Sequence, residues 1–317
     1  MSMDTATAAL LAQFNQQAAE LQPHKPTIEA SRVGARAMFL TLAGDSDPAC
    51  RVEALQLAAA NHSVPARLYQ PEHLQVPDAM VLFLHGGGWS LGDLDCYDGL
   101  VRSLCQQSGV RFLSVDYRLA PEHPYPAGLD DASLALSWLH QQAAELGISA
   151  NKIAVMGDSA GGNLALALSV RASRRLQLPV AAQYLIYPVL DVHSPHQTYP
   201  SRLQFGDGDY LLARSAIDDT RHWYLTDNER SDNPEVSPLL LPRLDDLPPT
   251  SVLLANFDPL LDEGKALAER LQPLGLLKRL DSYDSIHAFI SFGILPISQH
   301  ARTKLAQQLS ADLLAIA

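Results

Sequence analysis

The chain has 317 residues, 47% hydrophobic and 18% charged, with a formal net charge of −12. Those figures describe a globular chain with a large core, built as one large α/β domain or two small ones. The acidic balance argues against nucleic acid or an anionic membrane as partner.

The N-terminus "MSMDTATAALLAQFNQQ" lacks a basic region and carries Asp4, so it does not read as a secretory signal. No run of about 18 apolar residues occurs that would span a membrane. Cys50, Cys96 and Cys105 show neither metal-ligand spacing nor an even disulfide set, and a reducing cytoplasm is the expected compartment.

Residues 1 to about 45 carry helical periodicity before any strand. Strand patterns then fall at 52–59, 63–70, 79–85, 111–117, 152–157, 181–188, 250–256 and 277–284, with helical patterns between the later ones. "VLFL", "IAVM", "YLIY" and "SVLLA" are apolar on both faces, as expected of a parallel sheet covered by helices on both sides. The first two strands alternate more, as at an antiparallel edge. An insertion at 191–224 interrupts the rhythm between the sixth and seventh strands, where α/β folds place lids and binding loops. The expectation is a single domain over 1–317, with a helical cap built from about 1–45 and 191–224.

"VMGDSAGGNLALAL" places Ser159 in a G-x-S-x-G pattern between a strand and a helix. A serine held at such a strained turn is exposed as a nucleophile, and glycines on either side avoid clashes with strand and helix. A hydroxyl needs a base to accept its proton. Chains of this kind order their groups serine, acid, histidine. Asp258 follows a late strand in "SVLLANFDPLLDEG", and His287 follows the last one in "LDSYDSIHAFISF". Asp262 and Glu263 compete as the acid but read better as first-turn acids at a helix N-terminus. Asp284, three residues before His287, is the stronger rival.

The run "HGGGW" follows a buried strand. Acyl transfer passes through a tetrahedral oxyanion stabilised by preorganised N–H donors, and a backbone bare of side chains can approach it. Gly87 and Gly88 are the expected donors, with the N–H of Ala160 as the third. His85 and Trp89 are expected to hold the loop in shape. Asp158 is expected to anchor the turn by hydrogen bonds, and Glu122 and His123 to sit in a rigid proline-fixed loop. His193 and His196 in "HSPH" lack a third ligand, and Pro195 breaks any helix there, so no metal is expected.

"HGGGW", "DYRLAPEHPYPA" (116–127), "GDSAGGNLA", "DPLLDEG" and a histidine two residues before Phe289 occur in this order across 85–289. Together they resemble the bacterial hormone-sensitive-lipase family of esterases. The resemblance implies an α/β-hydrolase fold with a mostly parallel eight-stranded sheet, flanking helices and a helical cap. It implies a triad of Ser159, Asp258 and His287, and cofactor-free hydrolysis of small esters with short or medium acyl chains. A homodimer formed through the last strand is a further family habit. The chain departs from the family at Ala288, where H-G-F is usual, and at Ala255-Asn256, where A-G is common.

Leu10, Leu11 and Phe14 form an apolar helical face, and the insertion offers Leu203, Phe205, Tyr210, Leu211 and Leu212 as its partner. The expectation is that these segments roof the site, with Trp89, Phe14, Leu203, Phe205, Leu211 and Phe289 touching substrate. Two rival activities share the fold: an amidase or deacetylase with the same triad, and a non-catalytic small-ligand receptor. Receptors of that kind lack the triad histidine, and His287 is present.

Overall fold

The computed structural model describes residues 2–20, 27–226 and 230–316. Two helices, α1 (Thr5–Glu20) and α2 (Ile28–Leu42), precede an eight-stranded sheet. The strands are β1 (Arg51–Ala58), β2 (Ser63–Gln70), β3 (Met80–Leu84), β4 (Arg111–Val115), β5 (Ile153–Asp158), β6 (Gln183–Ile186), β7 (Thr250–Phe257) and β8 (Leu277–Ile286). Their order across the sheet is β1-β2-β4-β3-β5-β6-β7-β8. Only β2 runs against its neighbours.

Five helices follow the inner strands: α3 (Leu94–Ser108), α4 (Ala127–Gln141), α5 (Ala143–Leu146), α6 (Ala160–Arg171) and, after β7, α9 (Leu261–Leu271). The insertion after β6 supplies α7 (Pro200–Phe205) and α8 (Arg214–Tyr224), and α10 (Pro296–Leu314) closes the chain. The helical pattern over 128–147 is split, because Gln142 leaves the α-region and α4 ends there.

β3 shows why the inner strands are apolar throughout. Met80, Leu82 and Leu84 join one core cluster, with the leucines of α4 and α6, while Val81 and Phe83 join the other, beneath α3 and α10. Successive side chains of a strand point to opposite faces, so a strand covered on both sides has no polar position. Each fully buried leucine or phenylalanine contributes about 1.5–3 kcal/mol. α6 is buried along its whole length, which is why "NLALAL" has no polar stripe.

The parallel register brings the C-terminal ends of β3, β5, β7 and β8 to one edge. The loops carrying the glycine run, Ser159, Asp258 and His287 all begin there, where open α/β sheets bind ligands.

Candidate active site

Ser159 sits at the turn from β5 into α6, with φ +54° and ψ −118°. Such a conformation costs on the order of 1–3 kcal/mol for a non-glycine residue. Its neighbours hold it. The Ser159 N–H donates to Ile186 O at 2.8 Å, and its carbonyl accepts from Asn163 N at 3.1 Å. The glycines are required by crowding. A Cβ on Gly157 would run into the Gly161 carbonyl, and one on Gly161 into the Leu84 and His85 carbonyls.

His287 Nε2 lies 2.9 Å from Ser159 Oγ, and His287 Nδ1 lies 2.7 Å from Asp258 Oδ2. Asp258 is fully buried, and its other oxygen accepts from Leu260 N at 2.8 Å. The rival acids are occupied elsewhere. Asp284 accepts from the Asn256 side chain at 2.7 Å, so Asn256 ties β7 to the end of β8. Asp262 accepts from Ser201 N. Glu263 is not a simple first-turn acid: it is fully buried, paired with Arg202 at 2.6 Å, and accepts from Leu190 N and Asp191 N. Burial lifts its carboxyl to about 7, although Arg202 and those N–H groups pull it down.

The glycine run wraps around Asp158. Asp158 Oδ1 accepts from Gly86 N at 2.7 Å and Oδ2 from the Tyr97 hydroxyl at 3.1 Å. Complete burial raises this carboxyl to about 7, against the opposing pull of those two donors. Gly87 and Gly88 have φ +112° and +57°, in the region that favours glycine. Their missing side chains leave room for protein: a Cβ on Gly87 would meet Leu91 O, and one on Gly88 would meet Thr220 of α8. Among the described residues the N–H groups of Gly87 and Gly88 have no protein acceptor. The Ala160 N–H, first in α6, belongs to the turn of a helix that lacks internal partners.

His85 is buried beneath the loop, stacked on Tyr117 at 4.4 Å, with Nδ1 2.7 Å from Gly86 O. Burial pulls it down to about 4, so it is a neutral structural ring. Trp89 stacks on Tyr224 of α8 at 4.3 Å and also borders the cavity. Arg32 of α2 donates to Ser90 O and Ala120 O, both at 2.9 Å, and pairs with Glu122. That partner holds Glu122 down at about 2. Arg36, one turn on, pairs with Asp93 and Asp95. α2 is therefore bolted to the glycine loop and the proline-rich loop together.

A cavity of about 240 Å³ opens above Ser159. Gly87, Gly88, Trp89, Ser159, His287 and Ala288 form its floor. Its walls are largely apolar: Ala35, Met38 and Phe39 of α2, Leu211 and Leu212 before α8, and Ala216, Ile217 and Thr220 on it.

Of the side chains expected on substrate, Trp89 and Leu211 border this cavity and four do not. Phe14 packs beside the core cluster that buries Leu10 and Leu11, so α1 braces the fold and α2 covers the site. Leu203 points to solvent. Phe205 is buried against Tyr210 and Phe257, with ring centroids 5.0 and 5.8 Å away. Phe289 is wholly buried behind His287, facing Tyr187 and Tyr283, because the turn after the histidine dives into the core. The sequence reading missed Tyr97, Met38, Phe39 and Thr220. The i, i+3, i+4 spacing of Ala35, Met38 and Phe39 was a usable signal, overshadowed by the more apolar α1.

The α/β-hydrolase fold family matches residues 81–291. The carboxylic ester hydrolase LipN of Mycobacterium tuberculosis is 39% identical over 274 residues, 83% of this chain and 70% of that one. The ethyl acetate hydrolase of Pseudomonas putida is 38% identical over 258 residues, 80% of each chain. Among solved structures, the hyperthermophilic esterase of Pyrobaculum calidifontis superposes with a TM-score of 0.89 at 32% identity, covering 100% of each chain. The chain belongs to this α/β-hydrolase family, within the hormone-sensitive-lipase-like esterases that its motifs resemble.

Proposed function

We propose that the chain hydrolyses carboxylic esters of short to medium acyl length through an acyl-enzyme on Ser159. The observation that carries this reading is the 2.9 Å approach of His287 Nε2 to Ser159 Oγ, with Asp258 at 2.7 Å on the other ring nitrogen. Neutral His287 takes the hydroxyl proton as Oγ bonds to the ester carbonyl carbon. Asp258 keeps the proton on Nδ1 and stabilises the imidazolium. The carbonyl oxygen becomes an oxyanion, met by the N–H groups of Gly87, Gly88 and Ala160. The bond to the alcohol then breaks, and His287 returns its proton to the leaving oxygen. Water, activated by the same imidazole, releases the acid and restores Ser159.

The apolar walls favour uncharged aliphatic or aryl esters. α2 and the insertion act as the cap, with α1 as its brace. β8 is the outer strand of the sheet with Leu280 exposed, the edge through which a homodimer would form. Cys50, Cys96 and Cys105 are buried and unbridged, which suits work in the cytoplasm.

The test is a panel of 4-nitrophenyl esters of increasing acyl length with matched anilides. Each buried methylene adds about 0.8 kcal/mol, roughly fourfold in kcat/KM, until the cavity is full. The rate should rise, peak at short to medium chains and fall for long ones, with anilides far slower. Anilides turned over as fast as esters would make the chain an amidase, and no turnover of either would defeat the reading.

A further inference from the structure

The glycine loop carries three successive residues at positive φ: Gly87 at +112°, Gly88 at +57° and Trp89 at +57°. Glycine takes such angles freely but tryptophan does not, so Trp89 needs a hold from outside the loop. Its indole N–H has no partner among the described residues, so no hydrogen bond orients the ring. Tyr224, at the end of α8, lies flat against it, with ring centroids 4.3 Å apart and planes 5° from parallel. Both side chains are almost fully buried, at 2% and 1% exposure.

α8 touches this loop twice. Thr220, one turn before Tyr224, fills the space that a Cβ on Gly88 would need, so two consecutive loop residues meet one stripe of the helix. Tyr224 is itself braced. Its carbonyl accepts from Tyr125 N at 2.8 Å, and the Tyr125 ring meets its ring edge-on at 5.8 Å. The Tyr125 hydroxyl donates to Glu235 at 2.6 Å, and Glu235 pairs with Arg171 at 2.7 Å. Arg171 ends α6, the helix whose first residue, Ala160, offers the third oxyanion N–H. The Tyr224 hydroxyl has no partner among the described residues, so the ring and not the hydroxyl makes the contact.

We propose, on the esterase reading, that Tyr224 is a positioning residue: its ring holds Trp89 and, through Trp89, aims the Gly87 and Gly88 N–H groups at the oxyanion. Tyr224 is not among the described residues that border the cavity, so its substitution acts on the loop and not on a wall that substrate touches. Losing one oxyanion donor outright costs about 10²–10³ in kcat, and a displaced loop loses part of that.

The test compares Tyr224→Ala and Tyr224→Phe with the parent, in steady-state kinetics on one 4-nitrophenyl ester and in amide hydrogen exchange over residues 86–92. Ser90 N and Leu91 N both donate to Gly87 O, at 3.1 and 2.8 Å, so their exchange reports the turn directly. Tyr224→Ala should lower kcat roughly 10- to 100-fold with KM within about threefold. Its 86–92 segment should exchange faster while β5 and β6 stay protected. Tyr224→Phe keeps the stacked ring and should restore both the rate and the slow exchange. Tyr224→Leu fills the space without a flat face; it replaces the alanine variant if that one fails to fold, and should show the same two changes. Parent-like exchange or an unchanged kcat in a folded alanine or leucine variant would overturn the proposal, as would a loss in Tyr224→Phe equal to that of alanine. A parent that hydrolyses no ester defeats the esterase reading instead, and exchange, which needs no turnover, still decides whether Tyr224 holds the loop.

Discussion

Asp158, the residue before Ser159, accepts a hydrogen bond from the backbone of Gly86, the first glycine of the run after β3, at 2.7 Å. One carboxylate thus ties the serine turn to the loop whose next two N–H groups are assigned to the oxyanion. This bond, assisted by Tyr97, holds Ser159 and the Gly87 and Gly88 N–H groups at a fixed separation.

That carboxylate leaves a signature in stability. Burial raises its folded-state value to about 7, against an unfolded value near 3.8. Between those values the folded protein binds more protons than the unfolded chain, so this group's contribution to stability falls as pH rises from about 4 to about 7. Asp158→Asn keeps an acceptor for Gly86 and has no charge to bury. The melting temperature of the variant minus that of the parent should climb across this window and level above it. Glu263 titrates in the same range but is common to both proteins, so it cancels. A difference that stays flat with pH contradicts the account of Asp158.

The acid is separable from its rival. Asp258→Asn should leave KM nearly unchanged and lower kcat by roughly 10³–10⁴, because the imidazole is then held in the wrong tautomer. Asp284→Asn removes only the charge from the contact with Asn256, whose amide can still donate to the new side-chain oxygen, and should cost less than about tenfold. Steady-state kinetics on one 4-nitrophenyl ester decide between them; the reverse pattern would move the acid to Asp284.

Ala288 stands at φ +65°. A Cβ in this left-handed region is strained, so Ala288→Gly should raise stability by about 0.5–1 kcal/mol despite the greater freedom of unfolded glycine. Urea unfolding measures it, and a lower midpoint would show that the Ala288 side chain contributes more by packing than it costs in strain.

The sheet and the meeting of Ser159, His287 and Asp258 were legible because their physics is local. A strand buried on both faces must be apolar at every position, so "VLFL" and "IAVM" declare themselves. The glycines of "GDSAGG" and "HGGGW" mark places where a Cβ has no space, whatever fills that space. What was illegible concerns choice of partner. Periodicity shows that Phe14, Phe205 and Phe289 need apolar surroundings, but an apolar cavity wall and an apolar core make the same demand. Phe289 follows His287 by two residues and still faces the opposite way, because the turn at Ala288 reverses the chain. Glu263 looked like a helix-end acid since its partner, Arg202, lies 61 residues earlier, in the insertion.

The central claim is that Ser159, activated by His287, is the nucleophile. A fluorophosphonate probe followed by peptide mass spectrometry tests it most directly. One label should appear, on the peptide spanning residues 158–163, and Ser159→Ala should abolish it while the folded midpoint is retained. A label on any other serine, or full turnover of esters by Ser159→Ala, would contradict the assignment.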